Sequence, residues 1–443
     1  MLDIITNPIL VSVLVLIVLC LLRMHVWFAI IISAFVCGLL GGAGLTETMS
    51  MFVTGLSGDN DGTMTRLFMG IVAACMVASG LGDVLAPRVS RVLKGRPWVI
   101  IVGLTLVAIF CETIVTFGST FCLILIPPLL SVFNRFKVDR RMAVTAIMAG
   151  LQIGYVCVPI GLGAVFQGIV ADTMKANGVE GVTYLDVAAA AWPVGIAMVL
   201  AVVMVAVMYH KPREYKPVPG ITAPVEGETA MAESVMPPWE LKHTLAIVAA
   251  LVAPVVQIIT GDLKLGSMFA IILLCVFGVV KYKDLPSLAN KGLLDMAVVT
   301  FIMAAGAGYA NVSKTVGDVT GLVENAVALL GGSKLLGAFV MLLLGLVVTM
   351  GIGTSWGTVP IVAVIMVPMG LKMGFSIPAI IMMLCGAAAL GDAGSPISDQ
   401  TTIPTATFNI DGQHDHIWDT CVPSFICCNL PILVVCTIFA TFM

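Results

Sequence analysis

The 443-residue sequence is 59% hydrophobic and only 11% charged, with a net charge of −3, where a typical soluble domain carries roughly 25% charged residues. So little polar surface cannot cover a water-soluble sphere, which excludes a soluble enzyme or scaffold and places the chain in a lipid bilayer. The near-neutral charge excludes nucleic acid as a partner. A spanning helix needs roughly 20 apolar residues, so the length accommodates about ten to twelve of them, and the fold class is an all-α polytopic membrane protein.

Residues Met1–Asn7 contain Asp3 but no basic residue, so the first apolar run is read as a retained span and not as a cleaved signal. Apolar runs then follow at 8–22, 26–44, 67–86, 98–133, 142–170 and 187–209. The run 98–133 is long enough to enter and return, as a helical or re-entrant hairpin. It holds Glu112, and its bend is read at Thr116-Phe117-Gly118-Ser119-Thr120. A carboxylate within an apolar run is a functional candidate by default, as a proton acceptor or cation ligand. Within 142–170, Gln152, Tyr155 and Gln167 are candidate hydrogen-bonding partners of a substrate, and Pro159 and Gly161 open the backbone. Ordinary interhelical polar contacts are the competing reading.

His210–Lys242 carries six prolines among charged and small residues and reads as a solvated cytoplasmic connector. It separates a first membrane repeat, 1–209, from a second, 243–443. In the second, apolar runs stand at 244–260, 267–280, 296–310, 335–367, 377–390 continuing to 408, and 417–443. The run 335–367 is a second hairpin, with its bend in Gly351-Ile352-Gly353-Thr354-Ser355-Trp356-Gly357-Thr358-Val359-Pro360. Glycines there allow close approach of a ligand, and Thr354, Ser355 and Thr358 offer hydroxyls; small-residue helix packing is the alternative.

The halves echo one another in order: Gly82-Asp83-Val84 with Gly317-Asp318-Val319, Gly118-Ser119 with Gly357-Thr358, Pro128 with Pro368, and Gly154-x4-Pro159 with Gly391-x4-Pro396. Basic residues mark the cytoplasmic side: Arg88, Arg91, Lys94 and Arg96; Arg135, Lys137, Arg140 and Arg141; Lys211, Arg213 and Lys216. Tracing from these loops puts both termini outside and turns the second copy over, so the repeats are inverted. Inverted repeats with interrupted helices are a common build of secondary transporters, with the site near the midplane where the interruptions meet.

The most informative stretch is Gly391-Asp392-Ala393-Gly394-Ser395-Pro396-Ile397-Ser398-Asp399-Gln400-Thr401-Thr402. It breaks an apolar helix and puts carboxylates and hydroxyls at lipid depth, where such groups persist only by lining a cavity or binding something. Carboxylate, hydroxyl and carbonyl oxygens suit a hard cation, so Asp392, Ser395, Ser398, Asp399 and Thr402 are the candidate cation site. Gly118, Ser119, Gln152, Tyr155, Thr354, Ser355, Gly357 and Thr358 are expected to face the substrate, and Glu112 to take part in coupling. His414-x-His416 with Asp411, Asp415 and Asp419 is read as a solvated polar loop. The 12 cysteines and 26 methionines read as small hydrophobes and gap fillers. No glycine-rich stretch ends in the Lys-Ser or Lys-Thr of a phosphate-binding loop, so a gradient and not ATP is the expected energy source.

Gly353-Thr354-Ser355-Trp356-Gly357-Thr358 together with Gly391-Asp392-x2-Ser395-Pro396-Ile397-Ser398-Asp399-x-Thr401-Thr402 resembles the NhaC-type family of Na⁺/H⁺ antiporters. Arg135–Arg141 and Gly154–Gly168 resemble its YuiF-like branch, proposed to carry amino acids such as histidine. The resemblance implies inverted repeats and cation coupling in an inner membrane. The expected function is import of an amino acid or similar small solute on a Na⁺ or H⁺ gradient, with Na⁺/H⁺ exchange without an organic solute as the alternative. No enzymatic activity and no cofactor beyond the coupling ion are expected, and a homodimer is left open.

Overall fold

The computed structural model describes residues 7–22, 24–57, 60–81, 84, 88, 97–115, 118–216, 238–260, 262–316, 319–396 and 398–443. The regular structure among the described residues is entirely helical, with no strand, as lipid requires when every backbone group must be satisfied within its own segment. The first half comprises α1 (Pro8–Leu21), α2 (Val26–Leu40), α3 (Leu45–Ser57), α4 (Asn60–Ala78), α5 (Pro97–Phe110), α6 (Cys122–Arg135), α7 (Arg140–Cys157), α8 (Leu162–Ala176), α9 (Tyr184–Ala190) and α10 (Trp192–Met208). The second comprises α11 (Leu241–Thr260), α12 (Leu263–Val276), α13 (Leu285–Val316), α14 (Val319–Leu329), α15 (Lys334–Ile352), α16 (Ser355–Lys372), α17 (Ile377–Ala389) and α18 (Asp399–Phe408). A final helical run, α19 (His416–Phe442), closes the chain.

Helix starts recur at one interval: Val26 and Leu263, Pro97 and Lys334, Arg140 and Ile377. The caps recur with them, Asp139 and Ser376 each accepting a backbone N–H at the start of α7 and α17. Gln152 donates to the carbonyl oxygen of Ala389, its own counterpart 237 residues on, at 3.0 Å. The repeats therefore meet at equivalent positions. Both copies of the Gly-Asp-Val echo have their Gly and Asp outside the described residues, as do Thr116 and Phe117 of the first bend.

Two layers form. Helices α1–α4 pack with α11–α13, the long α13 lying against α2, α3 and α4. The second layer packs α5 and α10 on α7, and α15 and α19 on α17. Helix α16 joins them, touching α13, α15 and α17, and it is buried along most of its length.

Among the described residues, Ser355–Lys372 and His416–Phe442 have the length and hydropathy to cross a membrane alone, and two bent pairs add Arg140–Ala176 (53°) and Tyr184–Met208 (47°). Other apolar runs are cut into shorter helices such as Ile377–Ala389. Both expected bends interrupt their helices, and each carries a glycine with positive φ, Gly118 at 53° and Gly353 at 75°. An L side chain resists that conformation. At the 237-residue interval Gly118 stands opposite Ser355, and not Gly357 as the sequence pairing proposed; the positive-φ glycine of the second bend is Gly353, and Gly357 lies within α16.

The connector also differs from expectation. Its first residues are docked and not free in solvent: Tyr215 packs beneath the Arg140 guanidinium at 4.1 Å, and the Gln413 side chain bonds both the N–H and the carbonyl of Lys216. Residues 217–237 lie outside the described residues, and α11 begins at Leu241, within the expected connector.

Candidate functional site

The site is built where the interrupted helix α17–α18 meets the first hairpin, α7 and the second bend. Helix α17 ends at Ala389, and Gly391 enters the break with a φ of 86°. Asp392 follows, 2% exposed. Its carboxylate accepts from the Ser355 hydroxyl at the N-terminus of α16 and from the Ser398 hydroxyl at 2.5 Å. Ser355 also bonds the Tyr155 hydroxyl of α7 at 2.8 Å. A chain of hydroxyls thus ties the first repeat's α7 to the second repeat's break and bend.

Asp399 opens α18 and accepts from Ser119 of the first bend at 3.2 Å. Unlike Asp392 it is exposed, and Thr402 and Ala406 continue the exposed face along α18. Glu112 lies in a π-helical turn, Cys111–Val115, and is 4% exposed. Room for it comes from Gly154: a Cβ there would stand 2.7 Å from Glu112 Cβ. The same packing repeats in the second half, where Gly391 meets Leu346 O as Gly154 meets Ile109 O.

Glu112, Asp392 and Asp399 act on one another through space. Among the described residues, none of the three forms an ion pair with a basic side chain. Three acids from two repeats share one region without a fixed countercharge among the described residues. Buried charge of one sign is costly unless it is paired, protonated or bound to a cation.

The other expected residues divide. Ser395 donates to Met350 O at 3.1 Å, and Thr402 to Ser398 O at 2.8 Å; both fasten the break. Thr358 turns back to Thr354 O at 3.0 Å within its own helix, and Gly357 is buried in α16, so these two do not join the acidic cluster. Thr354 is half-buried and makes no side-chain cap. The Gln152 and Gln167 amides donate to Ala389 O and Val156 O, each at 3.0 Å, leaving each Oε1 buried without a partner among the described residues. Gly118 lies beside Glu112, a Cβ there standing 3.8 Å from Oε2.

Two aromatic residues quoted in the motifs but not placed in the site belong beside it. Phe166 meets Tyr155 edge-on at 4.9 Å and Trp356 at 6.3 Å. An aromatic three residues from Gly163 and another following Ser355 could have been found from those motifs.

The loop after α18 corrects the sequence reading. Asp411 is not a solvated residue: its side chain is fully buried against Arg140, with Nη1 and Nη2 at 2.7 and 2.6 Å. Arg213 reaches Asp419 at 2.7 Å, and His414 is 1% exposed. Burial raises the Asp411 carboxyl, but the Arg140 hydrogen bonds and charge outweigh it and hold the group below the usual carboxylate range. Asp411, His414 and Asp419 thus face partners and not water, while Asp415 remains exposed as the sequence reading expected.

Residues 146–441 match the Na⁺/H⁺ antiporter family, and residues 7–93 match a second Na⁺-H⁺ antiporter family. The chain belongs to the Na⁺/H⁺ antiporter family. It is 37% identical to an uncharacterised membrane protein of Vibrio parahaemolyticus, covering 97% of this chain and 98% of that one. It is 35% identical to the "Putative amino acid transporter YuiF" of Bacillus subtilis, again over 97% and 98%. In fold it is similar to Neisseria gonorrhoeae MtrF, of a class of antimetabolite efflux pumps, with a TM-score of 0.64 at 14% identity over 90% of this chain and 85% of that one. The YdaH transporter of Alcanivorax borkumensis aligns with a TM-score of 0.56 at 14% identity, over 90% and 88%. The chain is a membrane transport protein.

Proposed function

We propose that the protein is a secondary active transporter that imports an amino acid or similar small zwitterion on a Na⁺ or H⁺ gradient. The observation that carries this reading is the acidic cluster of Glu112, Asp392 and Asp399, drawn from both repeats and without a basic partner among the described residues. A cation bound between Asp392 and Asp399 neutralises the like charges and orders the break 390–398 through Ser395, Ser398 and Thr402. Asp399 lies on the exposed face of α18, where ion and solute can arrive.

The substrate is placed against Ser119, Gln152, Tyr155, Ser355 and the Phe166–Trp356 wall. The buried Oε1 of Gln152, an acceptor without a partner among the described residues, suits an ammonium donor. Since the cation stabilises the conformation that holds the substrate, each raises the affinity of the other, by linkage. Rocking of one repeat against the other then exposes the site to the two sides in turn. The arginine- and lysine-bearing loops at 88–96, 135–141 and 211–216 are assigned to the cytoplasm, with both termini outside.

The alternative reading is Na⁺/H⁺ exchange without an organic solute, and the family match favours it. In it, Na⁺ and H⁺ compete for Asp392 and Asp399. Purified protein in liposomes separates the two. Saturable accumulation of labelled amino acid under an inward Na⁺ or H⁺ gradient supports the first; Na⁺-driven proton movement with no uptake from a panel of amino acids supports the second.

A further inference from the structure

The histidines after α18 were set aside in the sequence, yet they form a continuous hydrogen-bonded line. His416 Nε2 lies 2.9 Å from Pro396 O in the break, and its Nδ1 lies 2.9 Å from Thr405 Oγ1. Thr405 Oγ1 is 2.8 Å from Thr420 Oγ1, which is 2.8 Å from His414 Nε2. His414 is among the residues lining a polar cavity of about 420 Å³, together with Arg213, Tyr215, Asp415 and Asp419. Its Nδ1 has no partner among the described residues.

We propose that His414, Thr420, Thr405 and His416 form a proton relay from this cavity to the interrupted segment of the acidic site; the proposal rests on the cation- and proton-coupled reading above. A carbonyl oxygen only accepts, so Pro396 fixes a hydrogen on His416 Nε2. In the structure Thr405 donates to Thr420, which leaves Thr420 to donate to His414 Nε2 and His416 to donate from both nitrogens: this is the order after a proton has passed. Before it, with both imidazoles neutral, the order is the reverse, Thr405 donating to His416 Nδ1, Thr420 to Thr405, and His414 Nε2–H to Thr420. All hydrogens then point toward the break, and His414 Nδ1 is a bare acceptor.

His414 Nδ1 is itself buried, so the relay begins when loop motion admits a cavity water to it and a proton from that water bonds to Nδ1. The Nε2–H bond of His414 breaks as its proton passes to Thr420, whose own proton passes to Thr405, whose proton passes to His416 Nδ1. His414 ends neutral in its other tautomer, and His416 ends as an imidazolium donating from both nitrogens. One positive charge has moved from the cavity to the edge of the site without any group crossing the interval. Release of the Nε2 proton to a site carboxylate, or back to solvent at the half-buried His416, restores the neutral ring. Water entering at His414 resets the order.

The surroundings favour passage over storage. Asp419, Asp415, Arg140 and Arg213 face His414, while Cys421 Sγ lies 3.7 Å from His416 Nε2. Burial, with the two arginines, pushes His414 down to about 4 against the pull of the aspartates, so a proton taken up there moves on. Holding Pro396 in place needs His416 alone; it does not need a second imidazole, beside a cavity, with a buried nitrogen that has no partner among the described residues.

Proteoliposomes with an internal pH dye and equilibrium binding of radioactive sodium to the purified protein test this. Thr420→Val removes the shared hydroxyl. His414→Gln keeps an amide donor to Thr420 but cannot pass a proton on. Both variants should slow proton movement by roughly tenfold or more, and Thr420→Ser should stay within about twofold of wild type. Sodium binding should be unchanged in all three. Wild-type proton rates in Thr420→Val or His414→Gln would overturn the relay, as would parallel loss of sodium binding and proton movement, which marks a packing role. Should Thr420→Val fail to fold, His414→Gln decides. A wild-type protein that moves no protons and binds no sodium would overturn the coupled reading and the relay together, whereas variants matching an active wild type overturn the relay alone.

Discussion

Replacing Asp411 by Asn leaves the Arg140 guanidinium buried without its countercharge. Arg140 keeps two partners, Phe408 O at 2.8 Å and Asn134 Oδ1 at 3.0 Å, and its stacking on Tyr215. Removing one member of a buried pair costs about 3–5 kcal/mol. Although both side chains are sealed from solvent, Asp411 sits in a loop near the protein surface, which argues for the lower figure, about 3 kcal/mol. At roughly 2.1 cal/mol/K of unfolding entropy per residue, that lowers the melting temperature by about 3 °C if the whole chain melts as one unit. The double variant Arg140→Met/Asp411→Leu should recover most of the loss, since well-packed apolar groups replace a buried pair at little cost. Thermal unfolding of detergent-solubilised protein, followed by tryptophan fluorescence, measures both. An Asp411→Asn protein melting within about 1 °C of wild type would refute the reasoning. Because the folded carboxyl is held below its ordinary value, the contribution is present at neutral pH and is lost as pH falls through the folded value, below about 4. Wild type should therefore lose more stability on acidification than the Asn variant.

Gly154→Ala places a Cβ 2.7 Å from Glu112 Cβ and 2.9 Å from Cγ. Overpacking of about 1–3 kcal/mol is expected, and uptake assays should show lost transport with expression retained; full activity would mean that Glu112 does not need its observed seat. Tyr155→Phe removes the 2.8 Å bond to Ser355 and should weaken sodium binding by roughly two- to tenfold, the equivalent of one hydrogen bond. Calorimetric titration showing unchanged affinity would separate Tyr155 from the cation site.

The duplicated plan was legible because Gly154-x4-Pro159 and Gly391-x4-Pro396 hold the same interval as the helix starts. The second bend was misregistered for a physical reason. Residues 351–357 contain three glycines, and only backbone conformation shows that Gly353 alone takes the positive φ of the turn. Asp392 and Asp399 stood out because carboxylates are rare at lipid depth. The Arg140–Asp411 pair could not be seen, since a charged residue in a short loop reads the same whether it faces water or a partner 271 positions away. For the same reason His414 looked solvated. The π-helical turn holding Glu112 has no sequence signature, and the partners of Asp392 come from α16 and the break together, so only folding brings Ser355, Ser398 and Tyr155 to it.

The central claim, that the acidic cluster couples a cation to transport, is tested most directly by Asp399→Asn, which keeps the shape beside Ser119 and removes the accessible charge. Sodium- and proton-gradient-driven uptake and exchange are measured in liposomes, alongside expression and folding of the variant. The account predicts normal expression with cation-dependent transport abolished. Cation-dependent transport at the wild-type rate in that variant would contradict it.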